Sequence, residues 1–324
     1  MPFVRTVLGD IAPTELGVTY AHEHVVIDGG LPLLLHPEYD LRDVERISAE
    51  YSEAHAAGLR AVVDAMPCDA GRNVHKLADV SRRVGIHVVA PTGLHLAKYY
   101  DDRHWSLVAS VDELAELFVA DIDQGIDERD YSGPLVRRTQ HRAGVIKIAG
   151  SRDGLSQLEE RVFEAAAAAH RATGCPILTH CQDGTAALQQ IAFLARHGVE
   201  TAHITLSHVD KIVDVDLHRE ILSSGAYLEY DQAFRWKNGQ ANGTLQLLLA
   251  MFEAGLGKGV MLGTDAAKIE YWKSFGGRPG LAWLLTEFSD LLATHGLGAA
   301  ERELIFVANP ARAYAFAPAP DGVA

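Results

Sequence analysis

The chain has 324 residues, of which 48% are hydrophobic and 22% are charged, and it carries a formal net charge of −14. This composition shows no sign of disorder, and the acidic balance argues against general binding to nucleic acid or to an anionic membrane. Three cysteines are too few for a disulfide framework, and no signal peptide or membrane-spanning apolar stretch is recognisable, so we expect a cytoplasmic protein.

Short apolar segments alternate along the chain with helical patterns. The strand candidates are residues 17–24, 59–67, 87–95, 143–150, 176–180, 204–208, 226–232 and 259–265. The amphipathic stretches between them often end in a glycine, such as Gly174 or Gly198, where helices commonly stop. Eight such units predict an α/β fold, a closed (β/α)8 TIM barrel that forms a single domain over residues 1–324. An open doubly wound sheet is the alternative, but no G-x-G-x-x-G turn follows the first predicted strand.

Polar side chains stand at the ends of the predicted strands. The first ends in "HEH", and His22 and His24 would point to the same side because strand side chains alternate. Since the carboxyl ends of barrel strands form the active face, the polar residues that end the strands would meet at one mouth. They are His22, His24, Lys147, His180, His208 and Asp265. Each alone has an ordinary explanation, such as a rim histidine or a helix-capping aspartate, but the joint pattern favours a metal site.

Lys147 is unusual because it lies within the apolar stretch "VIKI". An unpaired ammonium is costly to bury, so this amine is expected to have a lowered pKa and to react with carbon dioxide. The carbamate that results is a carboxylate-like ligand suited to bridging two divalent metal ions. Imidazole and carboxylate ligands suit zinc, cobalt, manganese or iron, and zinc is our first expectation.

These motifs resemble the phosphotriesterase-related family of the amidohydrolase superfamily. The resemblance includes "HEH", "GVIKIA", "ILTHC", "LSHVD" and "GTD", together with the opening "VRTVLGDIAPTELGVTYAHEH" and the C-terminal "NPARAYAF". It implies that one ion is held by His22, His24 and Asp265, and the other by His180 and His208. Carboxylated Lys147 and a hydroxide would bridge the two ions. Relatives in this family are often dimers, so the resemblance also makes a homodimer an expectation.

The loops at the predicted mouth bear on the substrate. Tyrosines that acyl-homoserine lactonases of this family carry after the third strand are replaced here by His95 and Ala97, which argues against a long acyl-chain pocket. Cations in the loops after the seventh and eighth strands of an acidic chain predict a pocket for an anionic group, although each could instead be solvated or paired. The predicted substrate-binding residues are His95, Tyr99, Arg235, Lys237, Lys268 and Tyr271.

We therefore predict a metal-dependent hydrolase that opens a small polar or phosphorylated sugar-type lactone by attack of the metal-bridging hydroxide. Asp265 would be the catalytic residue that takes the proton and delivers it to the leaving group. Two alternatives stay open at this point: an organophosphate triesterase, and a non-catalytic ligand-binding barrel that has kept its metals. The complete set of candidate ligands argues against the second.

Overall fold

The computed structural model describes residues 2–236 and 241–318. The strands in this part of the chain are β1 (Val4–Thr6), β2 (Gly9–Ile11), β3 (Thr19–Glu23), β4 (Ala61–Asp64), β5 (His87–Val89), β6 (Pro91–Thr92), β7 (Val145–Gly150), β8 (Ile177–Cys181), β9 (Ile204–Ser207), β10 (Tyr227–Tyr230) and β11 (Val260–Leu262). The short strands β1 and β2 form an antiparallel hairpin. All the others pair in parallel, as expected for strands joined by helical crossovers.

The parallel strands close into the (β/α)8 barrel that the sequence predicts. Strands β3 to β5 form one sheet and β6 to β11 form another. A single residue, Ala90, separates β5 from β6, and its carbonyl accepts a hydrogen bond of 2.8 Å from the Gly144 N–H. On the other side, the N–H of Asp265, just beyond β11, donates to the His22 carbonyl of β3 at 3.1 Å. These two contacts join the sheets into one closed structure.

Helices follow each barrel strand. They are α1 (Gly30–Leu35), α2 (Val44–Ala56), α3 (Val74–Val84), α4 (Val111–Asp123), α5 (Gln157–Thr173), α6 (Ala187–Arg196), α7 (Val215–Ser223), α8 (Gly243–Glu253), α9 (Glu287–Thr294), α10 (Ala299–Glu303) and α11 (Asn309–Ala313). Helix α5 ends at Gly174, which adopts the left-handed conformation (φ 74°) predicted for a glycine stop. No helix within the described ranges is long and apolar enough to cross a membrane.

Two apolar clusters sort the strand side chains into inward and outward sets. The inner cluster fills the barrel and includes Val145 and Leu178, whereas their neighbours Ile146 and Ile177 belong to the outer cluster beneath the helices. Because side chains alternate along a strand, the residue two places beyond Val145 also faces inward. That residue is Lys147, so the fold itself directs this ammonium into the barrel.

Asn309, at the start of α11, is buried and bonds the C-terminal helix to the base of the barrel. Its Nδ2 donates to the carbonyl of Gly257 at 2.8 Å and to that of Val260 at 2.6 Å. We expect Asn309→Ala to lower the free energy of unfolding by about 2 kcal/mol, because two buried carbonyls lose their donor. Urea denaturation checks this, with the exposed Thr294→Ala as control. A loss no larger than that of the control would contradict the assigned role.

Candidate active site

The polar residues predicted from the strand ends meet at the carboxyl end of the barrel. All of them line one cavity of about 210 Å³. One lies within each of the strands β3, β7 and β8, namely His22, Lys147 and His180. The other three follow the ends of β3, β9 and β11. The full set is His22, His24, Lys147, His180, His208 and Asp265. The structure thus brings together every residue of the predicted set, and their role as metal ligands stays a prediction.

Asp265 lies at the centre of this group. Its Oδ1 is 3.1 Å from His24 Nε2 and 3.6 Å from His22 Nε2. The His208 ring lies 4.7 Å from the His22 ring and 4.5 Å from the His180 ring, measured between centroids. Ligand atoms of His22, His24 and Asp265 fall within 4.8 Å of one another, which is close enough to share one ion. The arrangement can therefore hold a metal on the side of the first strand.

An irregularity in β3 accounts for the orientation of its histidines. Tyr20 belongs to the outer cluster and Ala21 to the inner one, so strict alternation would turn His22 outward. The pairing of β3 with β4 shifts register between Tyr20 and Glu23, as it does at a β-bulge. Such a shift re-aims the side chains that follow it, and both His22 and His24 line the cavity.

Asp265 is fixed in an uncommon backbone conformation by its neighbours. Its φ of 46° is in the left-handed region, which costs energy for a residue with a side chain. The Glu23 carboxylate accepts hydrogen bonds from the Thr264 N–H at 2.8 Å and the Thr264 hydroxyl at 2.5 Å. Arg235 donates to the Asp265 carbonyl at 2.5 Å and the Thr264 carbonyl at 2.9 Å. Together these bonds hold the Asp265 side chain toward the cavity.

The electrostatics of the cavity suit a divalent cation. Burial, followed by the nearby charge of Lys147, lowers the pKa of His22 well below its usual value, and burial does the same for His180. Burial alone would raise the pKa of Asp265, but His208, His24 and Arg235 outweigh it and hold that pKa well below the usual value. Neutral imidazoles and an ionised carboxylate are the forms that bind metal.

Lys147 provides a direct test of whether this site fits the predicted bridging ligand. Burial lowers its pKa to about 8, although the nearby carboxylates act in the opposite direction. Its Nζ is buried and has no hydrogen-bond partner in the described part of the chain. Buried polar groups are almost always partnered, so an unpartnered amine in a cavity of side chains that could bind metal fits a group that completes its bonding with a ligand.

The seventh barrel strand, β10, carries residues that the sequence reasoning missed. Asp231 follows it directly, and its Oδ2 lies 2.5 Å from His208 Nδ1. Glu229 within the strand is fully buried, and its Oε2 lies 3.5 Å from His22 Nδ1. The available signal was the segment "YLEYD", in which two carboxylates stand two residues apart at a strand end.

Two of the predicted substrate contacts line the cavity. His95 packs against His180, with 4.9 Å between ring centroids, and Tyr99 packs against His95 at 4.3 Å. The cavity wall also includes Tyr39 and the exposed Lys211, which sequence reasoning did not single out. The signal for Lys211 was its place three residues after His208, in a strand-end loop.

Three of the remaining predicted substrate contacts, Arg235, Lys268 and Tyr271, do not line the cavity. Arg235 is engaged with the Asp265 loop and with aromatic rings, 4.7 Å from Phe234 and 5.2 Å from Tyr271. Lys268 is 39% exposed, and its Nζ is 3.9 Å from Glu270. Among the residues described, those that line the cavity do not include these side chains. The fourth, Lys237, lies outside the described residues, and a substrate contact for each of the four stays a prediction.

A model of the phosphotriesterase family matches residues 2–314 of the chain. The chain belongs to the phosphotriesterase family. This family depends on a binuclear metal centre, and the clusters of histidine, aspartate and glutamate at the mouth of the barrel could bind metal.

Individual relatives narrow the class of activity. A phospho-furanose lactonase from Mycoplasmopsis synoviae is 33% identical, over 97% of this chain and 92% of its own length. The crystal structure of a lactonase from Listeria monocytogenes matches with a TM-score of 0.88 and 27% identity, covering 98% of this chain and 100% of that one. That of a phosphotriesterase homology protein from Escherichia coli, with phosphate in its active site, gives a TM-score of 0.84 and 32% identity, covering 93% and 99%. This member of the phosphotriesterase family is therefore a hydrolase that acts on a small molecule.

The hydrogen bonds from Arg235 to the carbonyls of Thr264 and Asp265, called here the clamp, lead to a prediction about stability. We expect Arg235→Ala to lower the free energy of unfolding by about 1–3 kcal/mol, because backbone carbonyls lose a charged donor. Arg235→Lys should also lower the free energy of unfolding, because one ammonium group cannot replace the planar guanidinium with its several donors. Urea denaturation of the metal-free protein measures both. The exposed ion pair of Arg152 with Asp183 supplies the control, and an Arg235→Ala effect as small as that of Arg152→Ala would count against the clamp.

Proposed function

We propose that this phosphotriesterase-family enzyme opens the ring of a small lactone that carries an anionic group, of the phosphorylated sugar-lactone type. The observation that carries the proposal is the position of Lys211, a cation that lines the same small cavity as Lys147 and Asp265. The similarity to a phospho-furanose lactonase and to a homologue with phosphate in its active site supports the same substrate class. A cytoplasmic homodimer stays a prediction from the sequence.

The donor set fits two divalent ions, with zinc proposed first and cobalt, manganese or iron also suited to these ligands. His22, His24 and Asp265 would hold one ion, and His180 and His208 the other. Lys147 would join them as a carbamate, formed when its neutral amine adds to carbon dioxide and releases a proton. Two such ions would lower the pKa of a water molecule and polarise the carbonyl of the substrate.

The protein's own groups would guide the proton. Asp265 is ionised, so its carboxylate can accept the proton of the attacking water and pass it to the ring oxygen as the ester C–O bond breaks. His95 accepts the Leu96 N–H at Nδ1, at 2.7 Å, and burial lowers the pKa of its ring well below the usual value. A neutral His95 therefore carries its hydrogen on Nε2, where it can donate to a polar group of the substrate.

The size and charge of the cavity favour a small anionic substrate. Its volume of about 210 Å³ is below the range of roughly 300–1,000 Å³ usual for pockets that hold drug-sized ligands, so a long acyl chain fits poorly. A contact between a lysine and a phosphate is charge-assisted and contributes on the order of 1.5–3 kcal/mol. Because that contact is remote from the reacting carbonyl, part of its binding energy can increase turnover as well as affinity.

A substrate panel tests the proposed activity. With zinc-loaded protein, we expect kcat/KM to be highest for a 5-phosphorylated γ-lactone, lower for the same lactone without phosphate, and lowest for paraoxon. Lys211→Ala should reduce kcat/KM for the phosphorylated lactone roughly ten- to a hundredfold and leave the neutral lactone nearly unchanged. Lys268→Ala, measured in parallel, tests the loop that the sequence predicts as an anion site.

The exposed Lys258, which precedes β11 at the opposite end of the barrel, provides the matched control Lys258→Ala. Equal losses for both lactones in Lys211→Ala would contradict an anion contact. Paraoxon as the best substrate would instead support a triesterase.

The bridging role of Lys147 can be tested without a substrate analogue. We expect elemental analysis of the zinc-loaded protein to give about two ions per chain. Lys147→Ala should bind less metal and lose activity, because the bridging carboxylate is missing, and short carboxylic acids should restore part of both. Full metal content and activity in Lys147→Ala would show that this lysine does not bridge the ions.

A further inference from the structure

The two nitrogens of His22 face different surroundings. Nε2 points to the cavity, where Asp265 Oδ1 lies at 3.6 Å. Nδ1 points into the barrel, where Ser207 Oγ lies at 2.9 Å and Glu229 Oε2 at 3.5 Å. Only the nitrogen without a hydrogen can bind a metal, so the partners of Nδ1 decide whether His22 can serve the cavity.

Glu229 is placed for this role by the strand pairing. In the parallel register it lies beside Ser207 of β9 on one side and Met261 of β11 on the other, so its side chain shares their layer inside the barrel. The backbone makes room for it at Gly263, where an added Cβ would come within 2.8 Å of Glu229 Oε1. Neither carboxylate oxygen has a hydrogen-bond partner among the residues that the structure describes. A buried carboxylate without a partner is costly, which argues that Glu229 serves more than packing.

Ser207 and Glu229 differ in what they can do to His22. A hydroxyl can either donate or accept, so Ser207 accommodates a hydrogen on either ring nitrogen. Burial and the neighbouring Asp231 raise the pKa of Glu229 well above its usual value in the metal-free protein, whereas cations bound in the cavity would favour its ionised form. Once ionised, the carboxylate only accepts hydrogen bonds, so it favours a hydrogen on Nδ1 and leaves the lone pair of Nε2 toward the cavity. We propose that Glu229 is a positioning residue that fixes this tautomer and orientation of His22 for metal binding. This inference rests on the metal site of the proposed function.

Strand β10 and the residue that follows it also place a carboxylate beside a second histidine. Asp231 is two residues beyond Glu229, and its Oδ2 lies 2.5 Å from His208 Nδ1. The seventh barrel strand thus contributes none of the predicted metal ligands to the cavity. It instead places one carboxylate behind His22 and another behind His208. A carboxylate on the outer nitrogen of a metal-binding histidine orients the ring and increases its basicity.

Zinc affinity and the stability of the metal-free protein together test this role. We expect Glu229→Ala to weaken zinc binding roughly ten- to a hundredfold in competition with a chromophoric chelator. The melting temperature of its metal-free form should stay unchanged or rise, because an unpartnered buried carboxylate is removed. Glu229→Gln keeps the shape but no longer fixes the tautomer, so it should also weaken zinc binding, and it carries the test if the alanine variant does not fold. The exposed Glu253→Gln is the control.

Zinc affinity within about threefold of the wild type in both Glu229 variants would overturn the inference, since a positioning carboxylate usually affects affinity more strongly. A lowered melting temperature of the metal-free variants with unchanged zinc affinity would also overturn it, and would make Glu229 a residue of the fold. A wild-type protein that binds no zinc would contradict the proposed metal site itself, which separates the two failures.

Discussion

Closure of the barrel between its first and last strands is the constraint on which the site depends. Glu23 of β3 and Thr264 beyond β11 are 241 residues apart in the chain, yet two hydrogen bonds join them. This contact sets Asp265 beside His22 and His24 and keeps it in its left-handed conformation. A strained backbone of this kind persists only where its surroundings enforce it. The histidines of one end of the sequence and the aspartate of the other therefore form one group.

Polar groups inside the protein differ in how well they are satisfied. Asp121 is fully buried and accepts hydrogen bonds from Tyr131 and Arg138 on one oxygen and from Arg72 and Thr92 on the other. The site contrasts with this network, since Lys147 Nζ, His24 Nδ1 and both oxygens of Glu229 have no partner within the described ranges. Donors within the protein therefore reach both oxygens of Asp121, where no ligand is expected. The unpartnered groups in and beneath the cavity fit a site whose bonding is completed by something bound.

Local sequence patterns made the barrel fold and much of the cavity lining predictable. Apolar runs that end in a polar residue locate the barrel strands, and alternation then directs Lys147 and His180 inward, so fold and cavity lining follow from short-range rules. Loop residues do not follow such rules. Arg235 is a cation in a strand-end loop by sequence, but tertiary contacts with the Asp265 loop occupy its guanidinium. Asp231 and Glu229 were missed because acidic residues near a strand end are common in ordinary turns. Their role becomes visible only when the structure shows which histidines they face.

Anomalous diffraction from crystals of the metal-loaded protein tests most directly whether these strand ends form a binuclear centre. We expect two anomalous peaks in the cavity, one in contact with His22, His24 and Asp265 and the other with His180 and His208. Electron density for Lys147 should extend into a carboxylate between the peaks, with Glu229 behind His22 and outside the coordination shell. A single ion bound by Glu229 and Asp231, or an unmodified Lys147 remote from the ions, would contradict the binuclear centre.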